Sequence, residues 1–427
     1  MRYWLETLGC PKNQVDSEKL AGTLHAEGYT VANEVETADL VVVNTCAFIE
    51  AAREESIETI LTLADARAPG ARLVVTGCLA ERYGHELAEA LPEVDLVAGF
   101  GVPVALTTRS SRPGQSRQPV PSFDLLNLPR PAPSAPWAYV KVAEGCDRKC
   151  GFCAIPSFRG RQRSRALASI LGEVESLNVE EIVLVAQDLA SYGRDLGSRR
   201  PGQAAPIEHL VRAVSDRVAR TRLLYLYPSE LSDGLIDVMG ATGCPYFDLS
   251  LQHVSPPLLR RMRRWGHGDR FLGRIERIRD CYPDAALRSS FILGYPGETE
   301  EDHDQLLAFL AAAELDWAGF FPFSPEEATY AAGLPDQVPA TLARERLAEC
   351  AELQDAITAR RRRALVGRTL RVLVDEPGAG RSHMEAPEID GTIRLGGPVP
   401  VGSWVDVVVT GAEGPDLDGE VVAVAVS

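Results

Sequence analysis

Glu144-Gly145-Cys146-Asp147-Arg148-Lys149-Cys150-Gly151-Phe152-Cys153 sets three thiols in Cys-x3-Cys-x2-Cys order directly after a short apolar strand, Ala138–Val142. Three thiolates this close suit three irons of a four-iron cubane. No fourth cysteine sits nearby to ligate the last iron, unlike the four-cysteine ferredoxin run. An open coordination position distinguishes a reactive metal site from a structural one. A zinc site completed by a distant His or Cys is the alternative, although zinc sites favour paired cysteines spaced by two to four residues. That strand opens a series: Ile182–Val185, Arg222–Tyr225, Tyr246–Ser250, Leu287–Ile292 and Ala318–Phe323 follow. Helical patterns separate them, including Leu167–Leu177, Ile207–Val218, Asp269–Arg279 and Glu300–Ala313. Six strand–helix units are too few for a closed eight-stranded barrel, so a partial barrel or an open sheet is expected.

Upstream, residues 1 to about 108 repeat the same alternation. Strands Tyr3–Leu8, Leu40–Thr45, Leu73–Thr76 and Val94–Ala98 flank helices Val15–Glu27, Ala51–Ala66 and Glu81–Leu91. Such alternation implies right-handed crossovers and a parallel sheet. Cys10, Cys46 and Cys78 each follow one of these strands. Parallel strands end on one edge, where ligand crevices form, so the three thiols are expected to converge as a second three-thiolate site. Buried cysteines used as small hydrophobes are the plainer alternative. Gly9 and Gly77 beside two of them favour close backbone approach. Cys244, Cys281 and Cys350 lack ligand spacing and read as structural, as do His253 and His303.

Between these regions, Ser110 to Pro136 carries Pro113, Pro119, Pro121, Pro129, Pro131, Pro133 and Pro136 and reads as an extended linker. After a long helix, Thr341–Leu365, short strands recur at Leu370–Val374, Gly391–Leu395, Trp404–Val409 and Val421–Val426. Gly and Pro separate them, the pattern of a small antiparallel barrel. The divisions expected are 1–110, a linker over 111–131, a core over 132–363 and a barrel over 364–427. The class is α/β with a small β-barrel at the end.

Of 427 residues, 45% are apolar and 24% charged, enough to bury sizeable cores. The longest apolar runs fall far short of the roughly 20 residues that span a bilayer. The start, Met1 to Cys10, shows no secretion pattern. A cytoplasmic protein without a membrane partner is expected, its cysteines reduced and free for metal work. Net charge is −16, which suits a basic partner or a small molecule better than a phosphate backbone.

Beyond the two cysteine sets, further stretches carry a resemblance. They are Leu8-Gly9-Cys10-Pro11-Lys12-Asn13, Asn44-Thr45-Cys46, Thr76-Gly77-Cys78, Ile155-Pro156, Arg159-Gly160, Leu251-Gln252-His253, Gly294-Tyr295-Pro296-Gly297-Glu298-Thr299 and Ala386-Pro387-Glu388-Ile389-Asp390-Gly391. The chain resembles the radical S-adenosylmethionine methylthiotransferases over essentially its whole length. It is most similar to the branch that modifies an aspartate of ribosomal protein twelve of the small subunit. Ala166 stands where that family usually has Pro, and Glu385 where relatives often carry Asp.

The resemblance implies a cluster-bearing first domain, a radical core built as a partial (βα)6 barrel and a C-terminal TRAM barrel. It implies two [4Fe-4S] clusters, one on Cys10, Cys46 and Cys78 and one on Cys146, Cys150 and Cys153. It also implies two molecules of S-adenosylmethionine per turnover, converting C–H to C–S–CH3, with an electron donor and a sulfur donor. Candidate cofactor-binding residues are Gln187 and Asp188, just past a strand end, and Gly294 in a strand-end turn. One or two of Arg159, Arg161, Arg163 and Arg165 are candidates to hold a carboxylate by bidentate pairing. Arg260, Arg261, Arg263 and Arg264 are expected along a helix surface. From Ala364 on, four arginines face ten acids, a net of −6. Phosphate repulsion disfavours tRNA as a partner for such a barrel, and a basic ribosomal protein is the fitting one. The same chemistry on tRNA, and a non-catalytic iron–sulfur sensor, are the competing functions.

Overall fold

The computed structural model describes residues 1–104, 124–197 and 204–424. Pro113, Pro119 and Pro121 of the expected linker, and the end of the last expected strand, lie outside the described residues. The chain divides into two compact units.

The first unit comprises Met1–Ala132, Lys141–Asp147 and Cys153–Arg165. It opens with β1 (Arg2–Thr7), α1 (Pro11–Ala26), β2 (Thr30–Val31), β3 (Leu40–Thr45), α2 (Glu50–Ala66), β4 (Arg72–Gly77), α3 (Cys78–Ala90) and β5 (Leu96–Ala98). The sheet is parallel, in the order β2-β1-β3-β4-β5. Strand β3, Leu-Val-Val-Val-Asn-Thr, is buried throughout, as an inner strand covered on both faces must be. Its side chains alternate between two cores. Leu40 and Val42 pack with Leu20 and Leu24 of α1. Val41 and Val43 pack with Ile60 and Leu63 of α2 and Leu79 and Leu87 of α3. The four expected strands and three helices are present, while β2 is an edge addition of two residues.

Part of the expected linker is packed rather than extended. Leu125 and Leu126 are buried, and the buried Lys19 ammonium of α1 donates to the Leu126 carbonyl at 2.7 Å. Arg130 pairs with Glu18, and Asp124 receives both ends of the Arg163 guanidinium at 2.6 and 2.8 Å. Among its described residues the stretch forms a single 3-10 turn, Leu125–Asn127, capped by Asp124, and leaves apolar side chains and carbonyls free to dock. After strand β6 (Trp137–Lys141) come β7 (Ala143–Glu144), α4 (Ile155–Phe158) and β8 (Arg163–Ser164), with β7 and β8 antiparallel. Residues 141–147 and 153–165, which sequence patterning groups with the core, are members of the first unit.

The second unit comprises Pro133–Val140, Arg148–Phe152 and Ala166–Ser427. Its core elements are β6, α5 (Leu167–Leu177), β9 (Glu181–Val185), α6 (Pro206–Ser215), β10 (Arg220–Leu223), α7 (Asp233–Ala241), β11 (Tyr246–Gln252), α8 (Pro256–Arg261), α9 (Gly268–Cys281), β12 (Ala286–Leu293), α10 (Glu300–Ala313) and β13 (Trp317–Pro322). Two three-stranded sheets, β10-β9-β6 and β11-β12-β13, meet at the parallel bridge Leu226–Leu249, giving the six-stranded partial barrel. Ala166 precedes α5 with φ −62° and ψ 138°, angles open to proline, so the turn survives without it. α11 (Ala340–Arg363) leads to a closed barrel in the order β14 (Thr369–Glu376), β15 (Ala379–Arg381), β16 (Ile393–Leu395), β18 (Asp416–Val424), β17 (Trp404–Glu413). Four of its pairings are antiparallel; β16 with β18 is parallel. Among the described residues no helix is long and apolar enough to cross a membrane.

Within this unit the loop Ser382–Asp390 closes the N-terminal end of the core strands. Tyr139 donates to the Pro387 carbonyl at 3.1 Å, Trp317 to Met384 at 2.7 Å, Tyr246 to Asp390 at 2.6 Å and Arg220 to Ser382 at 2.9 Å. Glu181, fully buried at the start of β9, pairs with Arg222 at 2.7 Å and Arg381 at 3.0 Å, with Arg220 at 3.5 Å. Burial raises the cost of its charge, but the three arginines overcome that and hold its carboxyl down at about 2 against an ordinary 4.5.

A folded value below the unfolded one gives stability that is present above pH 4.5 and lost as pH falls toward 2. Glu181→Gln therefore costs about 3 kcal/mol at pH 7. Thermal unfolding across pH 7 to 3 checks this: the gap to the parent narrows on acidification below 4.5, whereas a gap independent of pH contradicts it.

Candidate metal and cofactor sites

The sheet order β2-β1-β3-β4-β5 reverses direction between β1 and β3, and the crevice of such a sheet opens there, beyond the C-terminal strand ends. Cys10 follows β1 as the residue capping α1, Cys46 follows β3, and Cys78 follows β4 as the first residue of α3. The three thiols therefore stand on three adjacent strand ends at that crevice. Gly9 makes this possible. Its φ is +93°, and a Cβ there would lie 2.8 Å from the Cys46 Cβ and 2.9 Å from its Sγ. Gly77, φ +92°, packs equally tightly on the Thr45 backbone.

A hydrogen-bond lattice fixes the strand ends. The Asn13 amide donates to the Leu8 carbonyl at 3.0 Å and the Thr45 carbonyl at 2.9 Å. Asn44 returns a bond to the Asn13 carbonyl at 2.8 Å, and Thr45 Oγ1 donates to Thr76 at 2.6 Å. Ser56 of α2 accepts from the Cys46 N–H at 3.1 Å and donates to its carbonyl at 3.0 Å. Cys78 Sγ donates to Asn13 Oδ1 at 3.6 Å and accepts from Arg159 at 3.0 Å.

Electrostatics separate the three thiols. Burial works against the Cys10 thiolate, yet Lys12, Arg159 and nearby backbone N–H groups hold its thiol below the ordinary range. Burial pushes Cys46 up to about 12, with the charges of Cys10 and Cys78 adding to it. Burial also raises Cys78, against the pull of Arg159. Among the described residues no three of His, Cys, Asp and Glu are grouped to hold a single metal ion. A cubane takes one thiolate per iron and so asks for more widely set sulfurs than one zinc. The Gly9 cradle, the shared edge and the cationic neighbour fit such a group.

Of the second cysteine set, Cys146 and Cys153 lie on segments of the first unit and Cys150 on the second. The Cys146 N–H donates to the Gly160 carbonyl at 3.1 Å. In the second unit, Gly151 is held from both sides: its N–H donates to Met262 and its carbonyl accepts from Ala331, each at 2.8 Å. Arg264 approaches Cys150 Sγ at 3.4 Å. The Tyr227 ring lies between Arg264 and Arg148, 3.9 and 4.0 Å from its centroid.

Gln187 and Asp188 follow β9 and Gly294 follows β12, all at C-terminal strand ends as expected. Asp188 accepts from Arg148 at 2.6 Å and Ser191 at 2.7 Å, leaving its buried Oδ1 without a hydrogen bond among the described residues. Gly294 has φ +76°, and a Cβ there would meet Ala343 of α11 at 2.6 Å. Its turn is tied by the Glu298 carboxylate, which accepts from the Gly294 N–H at 2.6 Å.

The arginine series is committed inside the first unit. Arg163 binds Asp124, Arg165 donates to the Lys141 carbonyl at 3.0 Å, and Arg161 pairs with Asp147 at the surface. Arg159, one of the four candidates for holding a carboxylate, is buried and reaches Glu144, Asp16, Asn13 and the Cys78 sulfur; the alternation it shares with the other three does not single it out. Of the later arginines, only Arg260 and Arg261 belong to a helix. Arg263 leaves it with φ +54° and stacks on Tyr330, and Arg264 turns to Cys150. His303 binds Glu349 at 2.9 Å and His253 accepts from the Ser255 N–H at 3.1 Å, both structural as expected.

Residues 2–99 match the family described as "Uncharacterized protein family UPF0004", residues 140–310 the radical SAM superfamily and residues 366–422 the TRAM domain. Curated relatives carrying the name "Ribosomal protein uS12 methylthiotransferase RimO" match over nearly the whole chain, three of them as follows. The protein from Streptomyces coelicolor is 41% identical, covering 97% of this chain and 96% of its own length. That from Geobacter sulfurreducens is 42% identical, covering 98% of each. That from Moorella thermoacetica is 43% identical, covering 96% of each. Among solved structures, the radical S-adenosylmethionine methyltransferase TsrM from Kitasatospora setae aligns with a TM-score of 0.51 at 16% identity, covering 77% of this chain and 73% of that one. That likeness concerns the fold alone.

Replacing Gly9 by Ala tests the cradle. The left-handed backbone costs about 1–2 kcal/mol and the clash with Cys46 about 1–3 more. The unfolding midpoint of the metal-free chain falls accordingly in a thermal or denaturant melt; an unchanged midpoint refutes the close approach.

Proposed function

Because the chain belongs to the RimO family of ribosomal protein uS12 methylthiotransferases, we propose that it converts C–H to C–S–CH3 at the β-carbon of one uS12 aspartate, with two S-adenosylmethionine molecules per turnover. The observation that carries the reading is the convergence of Cys10, Cys46 and Cys78 at the switch point of the first sheet, in a chain that also bears the Cys146, Cys150, Cys153 loop. Each set holds one [4Fe-4S] cluster. The functional divisions are 1–110, 132–363 and 364–427, with 111–131 as the linker.

Clusters and S-adenosylmethionine, when bound, supply one-electron chemistry, the sulfur and the methyl group, which no side chain provides, because an unactivated C–H bond has no useful acidity. The chain's own work is to bind and orient. Cys10, Cys46 and Cys78 hold one cluster, and Cys146, Cys150 and Cys153 the other. Gln187, Asp188 and Gly294, at C-terminal strand ends, are the residues proposed to meet S-adenosylmethionine. An electron donor and a sulfur donor complete the partners, and the work is done in the cytoplasm. The acidic barrel suits basic uS12 and repels tRNA phosphates.

Mass spectrometry after one anaerobic incubation of the reduced, cluster-loaded enzyme with S-adenosylmethionine, sulfide, uS12 and unmodified tRNA tests this. A methylthio gain on one uS12 aspartate is expected; a gain on tRNA alone overturns the substrate assignment. Cys46→Ala is expected to keep 5′-deoxyadenosine release while losing methylthio transfer. Cys150→Ala is expected to lose both. Loss of 5′-deoxyadenosine release in Cys46→Ala contradicts the division of labour between the two sets.

A further inference from the structure

We propose that Arg159 is a positioning residue for the cluster assigned to Cys10, Cys46 and Cys78: its guanidinium fixes the Cys78 sulfur and offsets the negative charge that the cluster brings into a buried site. This rests on the cluster reading above. Arg159 lies outside residues 2–99 that match the first family, on the segment that follows Cys153, yet only 7% of it is exposed, and its hydrogen-bond partners belong to the first unit.

The geometry is specific. One terminal nitrogen reaches Cys78 Sγ at 3.0 Å and Asn13 Oδ1 at 2.6 Å. The other reaches Glu144 at 2.8 Å and Asp16 at 3.4 Å. The guanidinium faces the Phe100 ring at 4.5 Å. Asn13 is itself pinned to the ends of β1 and β3 by its amide, so it presents a fixed acceptor to Arg159. Lys141, fully buried, pairs with Asp16 and with Glu144 at 2.5 Å.

Two cations and two carboxylates thus balance before any cluster binds, which a buried network requires. That balance leaves one edge of the Arg159 fork turned to a sulfur instead of a carboxylate. A lysine offers no such planar fork to four acceptors at once. Hydrogen bonds and positive charge beside a ligand sulfur stabilise the more reduced cluster and raise its potential. A residue that merely strapped segments 153–165 to the sheet would leave that potential unmoved.

The test uses the full chain with Cys146, Cys150 and Cys153 changed to Ala, so that the first site alone is loaded with iron and sulfide. In that background Arg159→Gln and Arg159→Lys are compared by EPR redox titration, iron content and thermal melting of the metal-free protein. The expected result is a lower midpoint potential in both, Lys lying between Gln and the parent. Loss of iron from Arg159→Gln with an unchanged metal-free melt is the same role expressed as affinity. Should Arg159→Gln fail to fold, Arg159→Lys keeps the charge and decides alone. A folded, loaded variant with the parent potential overturns the proposal. A parent background that takes up no iron overturns the cluster assignment itself, and with it the role given to Arg159.

Discussion

A charge removed from water must find its partner inside the protein, and this constraint organises both units. In the first, Lys141 and Arg159 enter a buried position because Asp16 and Glu144 await them there. Breaking such a network by removing one member costs several kcal/mol, since it strands the others. The pairing therefore dictates which stretches belong to the first unit. Residues 141–147 and 153–165 follow their charges to the sheet of residues 1–104, although their hydrophobic pattern groups them with the next strands. The second unit repeats the principle around Glu181, where Arg220, Arg222 and Arg381 tie the beginnings of β9 and β10 to the loop that closes them.

The second constraint is the geometry of parallel strands. Because β1, β3 and β4 all run the same way, whatever follows each of them arrives on one edge. Three cysteines separated by 30 residues or more in sequence become neighbours with no special folding device. Glycine supplies the last step, since only a residue without Cβ lets Cys46 close over the turn at Gly9. The arrangement of the three thiols is thus a by-product of topology, refined by two small residues.

That logic explains how much was legible beforehand. Strand–helix alternation and strand-end cysteines are local patterns, and they led to the sheet, the partial barrel and the placing of Cys10, Cys46 and Cys78 on one edge. What escaped depends on pairings between distant residues. Leu126 sits in a proline-rich stretch, and nothing local to it signals that Lys19 will take its carbonyl. Arg159 looks like its neighbours Arg161, Arg163 and Arg165, and only its acceptors at Asn13, Asp16, Glu144 and Cys78 set it apart. The parallel pairing of β16 with β18 likewise depends on barrel closure, which short strands do not announce.

The stretch Ala386-Pro387-Glu388-Ile389-Asp390 changes meaning on the same grounds. As sequence it marks a branch of a family; in the fold it is part of the plug under the core strands. Its Pro387 carbonyl serves Tyr139 and its Asp390 carboxylate serves Tyr246 and Arg288. Glu385, one position before it, is buried against Arg362 and Ser382, so the longer acid in place of Asp is satisfied where it stands. Asp390 and Glu385 are spent on docking the barrel and add little to its outward field. The less buried acids include Glu376 and Glu388, with Asp406 and Glu413 on β17 and Asp416, Asp418 and Glu420 on β18. Two cations are set among these: Arg371 stands opposite Asp406 in the pairing of β14 with β17, and Arg394 is engaged by Asp418 at 2.7 Å and Glu413 at 3.1 Å. The acidic character inferred from composition thus persists in the folded barrel, on β17 and β18 and also at the exposed Glu376 and Glu388, while the acids buried under the core strands answer to internal partners.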